Sequence, residues 1–85
     1  MGKNMDNSEK DRLRYQIVQS LGVLSTSQTG WTKELNIISW NDRPEKFDLR
    51  DWDPDHEHMS KGATFTREEA EKIRDILDEY LRQEF

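Results

Sequence analysis

Residues 31–52, WTKELNIISWNDRPEKFDLRDW, constrain the fold of this chain more than any other stretch. Two runs rich in β-branched and aromatic residues, 31–40 and 46–52, flank Asn41-Asp42-Arg43-Pro44-Glu45. The runs favour strands and the cluster between them favours a turn, so the stretch predicts a β-hairpin. A five-residue loop sets Trp40 opposite Lys46, Ile38 opposite Asp48 and Asn36 opposite Arg50. Successive side chains in a strand point to opposite faces. The odd face carries Leu35, Ile37, Phe47 and Leu49 and reads as the core face. The even face carries Asn36, Ile38, Trp40, Lys46, Arg50 and Trp52 and reads as solvated. Large aromatics beside cations suit the stacking of unpaired bases, with charge for phosphates. The same pattern also fits a plainer arrangement, in which a helix or a second subunit covers Trp40 and Trp52. Arg50 likewise has two uses: a surface ion pair with Asp48 or Asp51, which stabilises little, or a phosphate contact.

With 85 residues the chain holds one domain, small enough that dimerisation is a common remedy for its thin core. It has no cysteine, hence no disulfide framework and no thiolate chemistry. No apolar run approaches the roughly 20 residues of a membrane span. The first residues, MGKNMDNSEKDR, lack the apolar segment of a signal peptide, so a cytoplasmic protein is expected. The net charge of −5 argues mildly against a nucleic-acid partner, but distribution matters more than the sum. Residues 10–41 hold four cations against two acids, whereas residues 67–85 hold four against seven.

Residues 1–11 are polar and read as a disordered tail, leaving 12–85 as the domain. The next stretch is ambiguous. Leu13, Ile17 and Leu21 are spaced for a helix, whereas Tyr15, Ile17, Val18, Val23 and Leu24 favour a strand. A long strand bent at Gly22 is the preferred reading. After the hairpin, residues 53–60 form a loop and 61–65 a short fourth strand. Thr66-Arg67-Glu68-Glu69 has the form of a capping box, opening a helix with no glycine or proline to stop it before Phe85. Ala70, Ile73, Ile76, Leu77, Tyr80 and Leu81 form its apolar stripe. That stripe is wide for so small a sheet. Ile73, Ile76, Leu77, Tyr80 and Leu81 are therefore the candidate dimer interface.

Asp53, Asp55, His56, Glu57 and His58 invite a metal reading, and Asp51, Asp53 and Asp55 mimic the start of a calcium loop. Pro54, His56 and Gly62 then stand where that motif needs other residues, so no metal is expected. No nucleophile sits in an activating motif and no glycine-rich phosphate loop precedes a helix, so neither catalysis nor a cofactor is expected.

Asp48-Leu49-Arg50-Asp51-Trp52 in the third strand and Lys61-Gly62-Ala63-Thr64-Phe65-Thr66-x-x-Glu69 before the helix resemble the positive cofactor four family of transcriptional coactivators. Residues 30–36, 39–41 and 51–62 look like its small bacterial branch, called YdbC, almost throughout. The resemblance covers roughly residues 13–81. It implies an α+β fold of four antiparallel strands in a curved sheet followed by one C-terminal helix. It also implies a homodimer that binds single-stranded DNA with little sequence preference, in transcription or in replication and repair. Carried over by position, Arg50, Trp52 and Lys61 would contact the strand. Lys33, Trp40 and Lys46 join them as candidates from the hairpin itself. The expected partners are single-stranded DNA or RNA and a second copy of the chain, with no membrane and no small-molecule substrate. The competing expectation is a dimer that docks a peptide or a polymerase subunit through exposed tryptophans.

Overall fold

The computed structural model describes residues 14–83. Strands β1 (Tyr15–Thr26), β2 (Thr32–Trp40), β3 (Lys46–Trp52) and β4 (Ala63–Phe65) form one antiparallel sheet in that order, and helix α1 (Arg67–Leu81) follows. This is the expected fold class, with the sheet open and curved. The expected disordered tail, residues 1–11, lies outside the described residues.

The ambiguous N-terminal stretch is a strand, and its irregularity is greater than one bend at Gly22. Its pairing with β2 shifts register between Ile17 and Gln19, between Ser20 and Gly22, and between Val23 and Ser25. The residues passed over are Val18, Leu21 and Leu24. Such bulges bend a strand and increase its twist. With a defect at every third residue from Val18 to Leu24, the period-two alternation of a regular strand is lost over this stretch.

The hairpin forms between the expected strands, but its register differs by two residues. Ile38 faces Lys46, Asn36 faces Asp48 and Glu34 faces Arg50. The turn is the reason. Asn41 and Asp42 both adopt positive φ, 52° and 64°, and the Arg43 amide donates to the Trp40 carbonyl over 2.9 Å. That two-residue turn leaves Arg43, Pro44 and Glu45 outside the ladder, while Trp40 pairs on its other side with Tyr15. A slip of two preserves which residues share a face.

Burial of the two faces is the reverse of the expectation. The buried residues are Glu34, Asn36, Ile38, Asp48 and Trp52, all on the even face. Leu35, Ile37, Phe47 and Leu49 on the odd face are only half-buried. The helix covers neither face: it touches the sheet at β3 and buries none of its own residues. Even-face burial therefore comes from the curl of the sheet and from the loop after β3. The odd face keeps a stacked Phe47–Phe65 pair, centroids 5.5 Å apart, and stays open beside Leu21 and Ile37.

The capping box forms as the sequence indicates. The Thr66 side chain accepts from the Glu69 amide and the Glu69 carboxylate from the Thr66 amide. The helix stops at Leu81 rather than running on to Phe85. Ile73, Ile76, Leu77, Tyr80 and Leu81 are 39% to 69% exposed. The Cα radius of gyration is 16.0 Å, against about 12 Å for a compact chain of this length. The fold of one chain thus leaves an apolar helix stripe and an apolar sheet face half in solvent.

Candidate functional site

The even face is organised around three aromatic rings. Tyr15, brought in by β1, sits between Trp40 and Trp52, with ring centroids 5.5 and 5.6 Å away. Trp52 is fully buried, its ring stacked on His56 of the loop after β3 at 5.5 Å. Trp40 is half-buried, and the Arg50 Cζ lies over its ring 4.7 Å from the centroid. The buried Trp40 Nε1, Trp52 Nε1 and Asn36 Oδ1 have no hydrogen-bond partner among the described residues.

Arg50 is held from three directions. Its Nε and Nη2 donate to the two carboxylate oxygens of Asp48 at 2.6 and 2.7 Å, a bidentate pair. Its Nη1 donates to the Ser60 carbonyl at 3.3 Å and approaches the Met59 sulfur at 3.6 Å. Asp48 is fully buried and the Arg50 side chain is only 12% exposed. This is the Asp48 pairing that a strand spacing of two allows, but it is a buried pair and not a surface one. Ser60 is fixed in turn, its Oγ accepting from the Asp51 amide. Gly62 lets this segment close on the strand, because a Cβ there would collide with the Arg50 Cβ and the Leu49 carbonyl oxygen.

The loop of residues 53–60 is fixed by contacts within itself and with β2 and β3. The Asp53 carboxylate accepts from the amides of Glu57 and His58 and meets the His58 ring at 3.2 Å. The His58 backbone amide is the main cause that holds the Asp53 carboxyl below its ordinary range. His56, with φ of 58°, places its Nε2 2.8 Å from the Glu34 carboxylate. Glu34 also accepts from the Thr32 hydroxyl at 2.6 Å and from the Asn36 amide at 3.2 Å. Burial works to raise the Glu34 carboxyl, but these three hydrogen bonds and the charge of His56 outweigh it and leave it lowered. Of the residues that suggested a metal loop, Asp53 pairs with His58 and His56 with Glu34, while Asp55 and Glu57 are exposed.

At the tip of the hairpin the backbone is fixed by several contacts. Asn41 exchanges hydrogen bonds with the Arg14 backbone at 2.8 and 3.0 Å, and Arg14 pairs with Asp42 at 3.0 Å. The Ser39 hydroxyl donates to the Arg43 carbonyl at 2.7 Å. Beside this turn lies a cavity of about 310 Å³ lined by Trp40, Arg43, Pro44, Lys46, Arg50 and Thr64.

Of the candidate residues, Trp40, Lys46, Arg50 and Trp52 share the even face, and exposed Lys61 follows Ser60, whose carbonyl holds Arg50. Three expectations change. Trp52 is enclosed by Tyr15 and His56 and offers no open ring. Arg50 is a tied side chain rather than a free surface cation. Lys33 projects from the odd face and pairs with Asp51 at 3.5 Å, so it does not join the others. Tyr15, Glu34, His56 and Arg43 belong to the site and were not singled out as its members. Parity alone places Glu34 there, whereas Tyr15 depends on the bulged register of β1 and His56 on a positive-φ loop.

A family model described as Transcriptional Coactivator p15 (PC4) matches residues 27–76, from the turn before β2 into the helix. An uncharacterized protein of Treponema pallidum (strain Nichols) is 50% identical over 68 residues, 80% of either chain.

Proposed function

Because the chain belongs to the transcriptional coactivator p15 (PC4) family, we propose that it is a homodimeric single-stranded DNA-binding protein with little sequence preference. It would act in transcription regulation, replication or repair, in the cytoplasm beside the nucleoid, by binding rather than by catalysis. The observation that carries this reading is the placement of unpaired charge. Among the described residues Arg14, Lys33, Arg50, Arg67, Arg74 and Arg82 each pair with a carboxylate. Of the four described cations that pair with none, Arg43 and Lys46 flank the Trp40 pocket, Lys61 lies near Arg50, and Lys72 stands apart on α1. Cations without partners beside an accessible indole suit a phosphate backbone with unstacked bases. The competing docking of a peptide through exposed tryptophans would have to use Trp31 and Trp40, which are half-buried, because Trp52 is buried.

The dimer would bury the exposed stripe of α1 and the half-open odd face, together with Val18, Leu21 and Leu24 of β1. Exposed apolar patches of this kind mark association surfaces, and a two-fold interface covers the same patch on both copies. Fluorescence titration with labelled oligothymidine, oligouridine and duplex at several salt concentrations tests the ligand. Binding should favour single strands and weaken as salt rises. No binding to either single strand at low salt rejects the proposal.

A further inference from the structure

The geometry points to a one-nucleotide pocket at the hairpin tip, in which Arg50 is a stacking platform for the base and Arg43 and Lys46 hold the adjoining phosphate. The inference rests on the single-strand reading and assigns a mode of binding within it.

The argument starts from the Arg50 guanidinium. It has five N–H groups in one plane. Two of them go to Asp48, and Nη1 is turned to the Ser60 carbonyl and the Met59 sulfur. Its edges are therefore largely used, and a phosphate would have to displace buried Asp48 to be held bidentately. What is left is a face, and the 12% of the side chain that stays exposed is all that a base could meet. One face lies over Trp40, and Arg50 also lines the cavity that Trp40 shares with Arg43, Pro44, Lys46 and Thr64. Guanidinium planes stack on aromatic rings, and unpaired bases stack on both. A Trp40–Arg50 stack locked by Asp48 thus offers an unpaired base a cationic surface that needs no reorganisation. The depression is open to solvent and holds about 310 Å³, at the small end of ligand pockets and enough for one base.

The rim is equally preformed. The turn at Asn41 and Asp42 is held by Arg14 on one side and by Ser39 on the other. Positive φ at non-glycine residues persists only where surrounding contacts determine it. These contacts set the Arg43-Pro44 backbone beside Trp40, with Arg43 and Lys46 free of carboxylates among the described residues. Phosphate charge therefore belongs to Arg43 and Lys46, and base contact to Arg50, the reverse of what an arginine in a basic strand suggests.

The test titrates the wild-type chain and the variants Arg43→Gln, Lys46→Gln and Arg50→Lys with labelled oligothymidine and oligouridine across a salt series. The two strands decide whether the pocket takes a deoxynucleotide or a ribonucleotide. Arg43→Gln and Lys46→Gln should each reduce the salt slope by about 0.7, one single-strand phosphate contact. Arg50→Lys keeps the charge, so it should keep the slope but weaken binding about tenfold through lost stacking. Wild-type affinity in Arg50→Lys, or unchanged slopes in both glutamine variants, overturns the pocket while leaving single-strand binding intact. No binding by the wild-type chain removes the parent reading and this one together. A second measurement needs no variant. Irradiating wild-type protein on a 5-iodouracil-substituted strand should crosslink tryptic fragment 34–46, whose one tryptophan is Trp40. Crosslinks confined to other fragments refute the pocket even if Arg50→Lys does not fold.

Discussion

Removing Arg50 should strongly destabilise this domain, although a charged residue on a binding strand would ordinarily be expected to tolerate loss. Asp48 is fully buried and Arg50 takes both of its carboxylate oxygens. Arg50→Ala leaves that carboxylate buried without its counter-ion, which costs about 3–5 kcal/mol when one partner of a buried pair is removed. At roughly 4–8 °C per kcal/mol for a domain of this size, the melting temperature should fall by at least about 12 °C. Leu49→Ala, one residue away on the half-open odd face, should cost less than the roughly 2–5 kcal/mol of a fully buried leucine. Urea unfolding followed by circular dichroism, at one protein concentration because association would shift the midpoint, measures both. A cycle with Asp48→Asn adds the coupling: the double variant should be more stable than the two single losses combined predict. Arg50→Ala within about 0.5 kcal/mol of wild type, the range of a surface substitution, would refute the reasoning, as would an additive cycle.

Gly62→Ala should act through the same pair, because the added methyl meets the Arg50 Cβ and the Leu49 carbonyl; thermal unfolding should show a loss comparable to Arg50→Ala, and an unchanged melting temperature would mean the segment can move away cheaply. The Glu34 carboxyl is lowered in the folded chain, so its contribution is present above the ordinary glutamate range near 4.5 and is lost as pH falls through the folded value. Wild-type stability should therefore drop on acidification more steeply than that of Glu34→Gln, and parallel curves would count against it. For assembly, sedimentation equilibrium should return twice the chain mass at micromolar concentration, and Ile76→Asp, at a residue 68% exposed in one chain, should return the single mass while keeping its circular dichroism spectrum. A wild-type chain that stays at the single mass rejects the dimer.

The order of elements was legible because each has a local signature: the hairpin its turn cluster, the helix its capping box. Parity was legible too, and the even residues do share one face. What parity cannot say is which face closes. Leu35, Ile37, Phe47 and Leu49 outrank Glu34, Asn36 and Asp48 in apolarity, so the odd face looked like the core. The closing of the even face depends on the curl of the sheet, which follows from three defects in β1 and from a loop that lays His56 on Trp52. Neither has a pattern of its own in the sequence. The odd residues still look like a core because the described residues of one chain leave them only half-buried, which is the main physical ground for expecting a second chain.

The same geometry answers the objection raised by the acidic composition. Two of the acids, Glu34 and Asp48, lie on the very face proposed to meet a polyanion. Each is matched there, Glu34 by His56 and three hydrogen bonds, Asp48 by both arms of Arg50. Being buried and paired, they project little field outward, whereas Arg43, Lys46 and Lys61 are exposed and form no ion pair among the described residues, with exposed Glu45 the one acid of residues 43–46. Much of the acidic excess sits on α1, where Glu68 and Glu69 suit the helix start and most of the other acids pair with arginines of the same helix. Net charge governs long-range steering, and at physiological salt charges beyond about 8 Å are largely screened. A strand in contact with Trp40 would therefore respond mainly to the local cations, which makes a measured salt slope of two or three phosphates compatible with a chain whose net charge is −5.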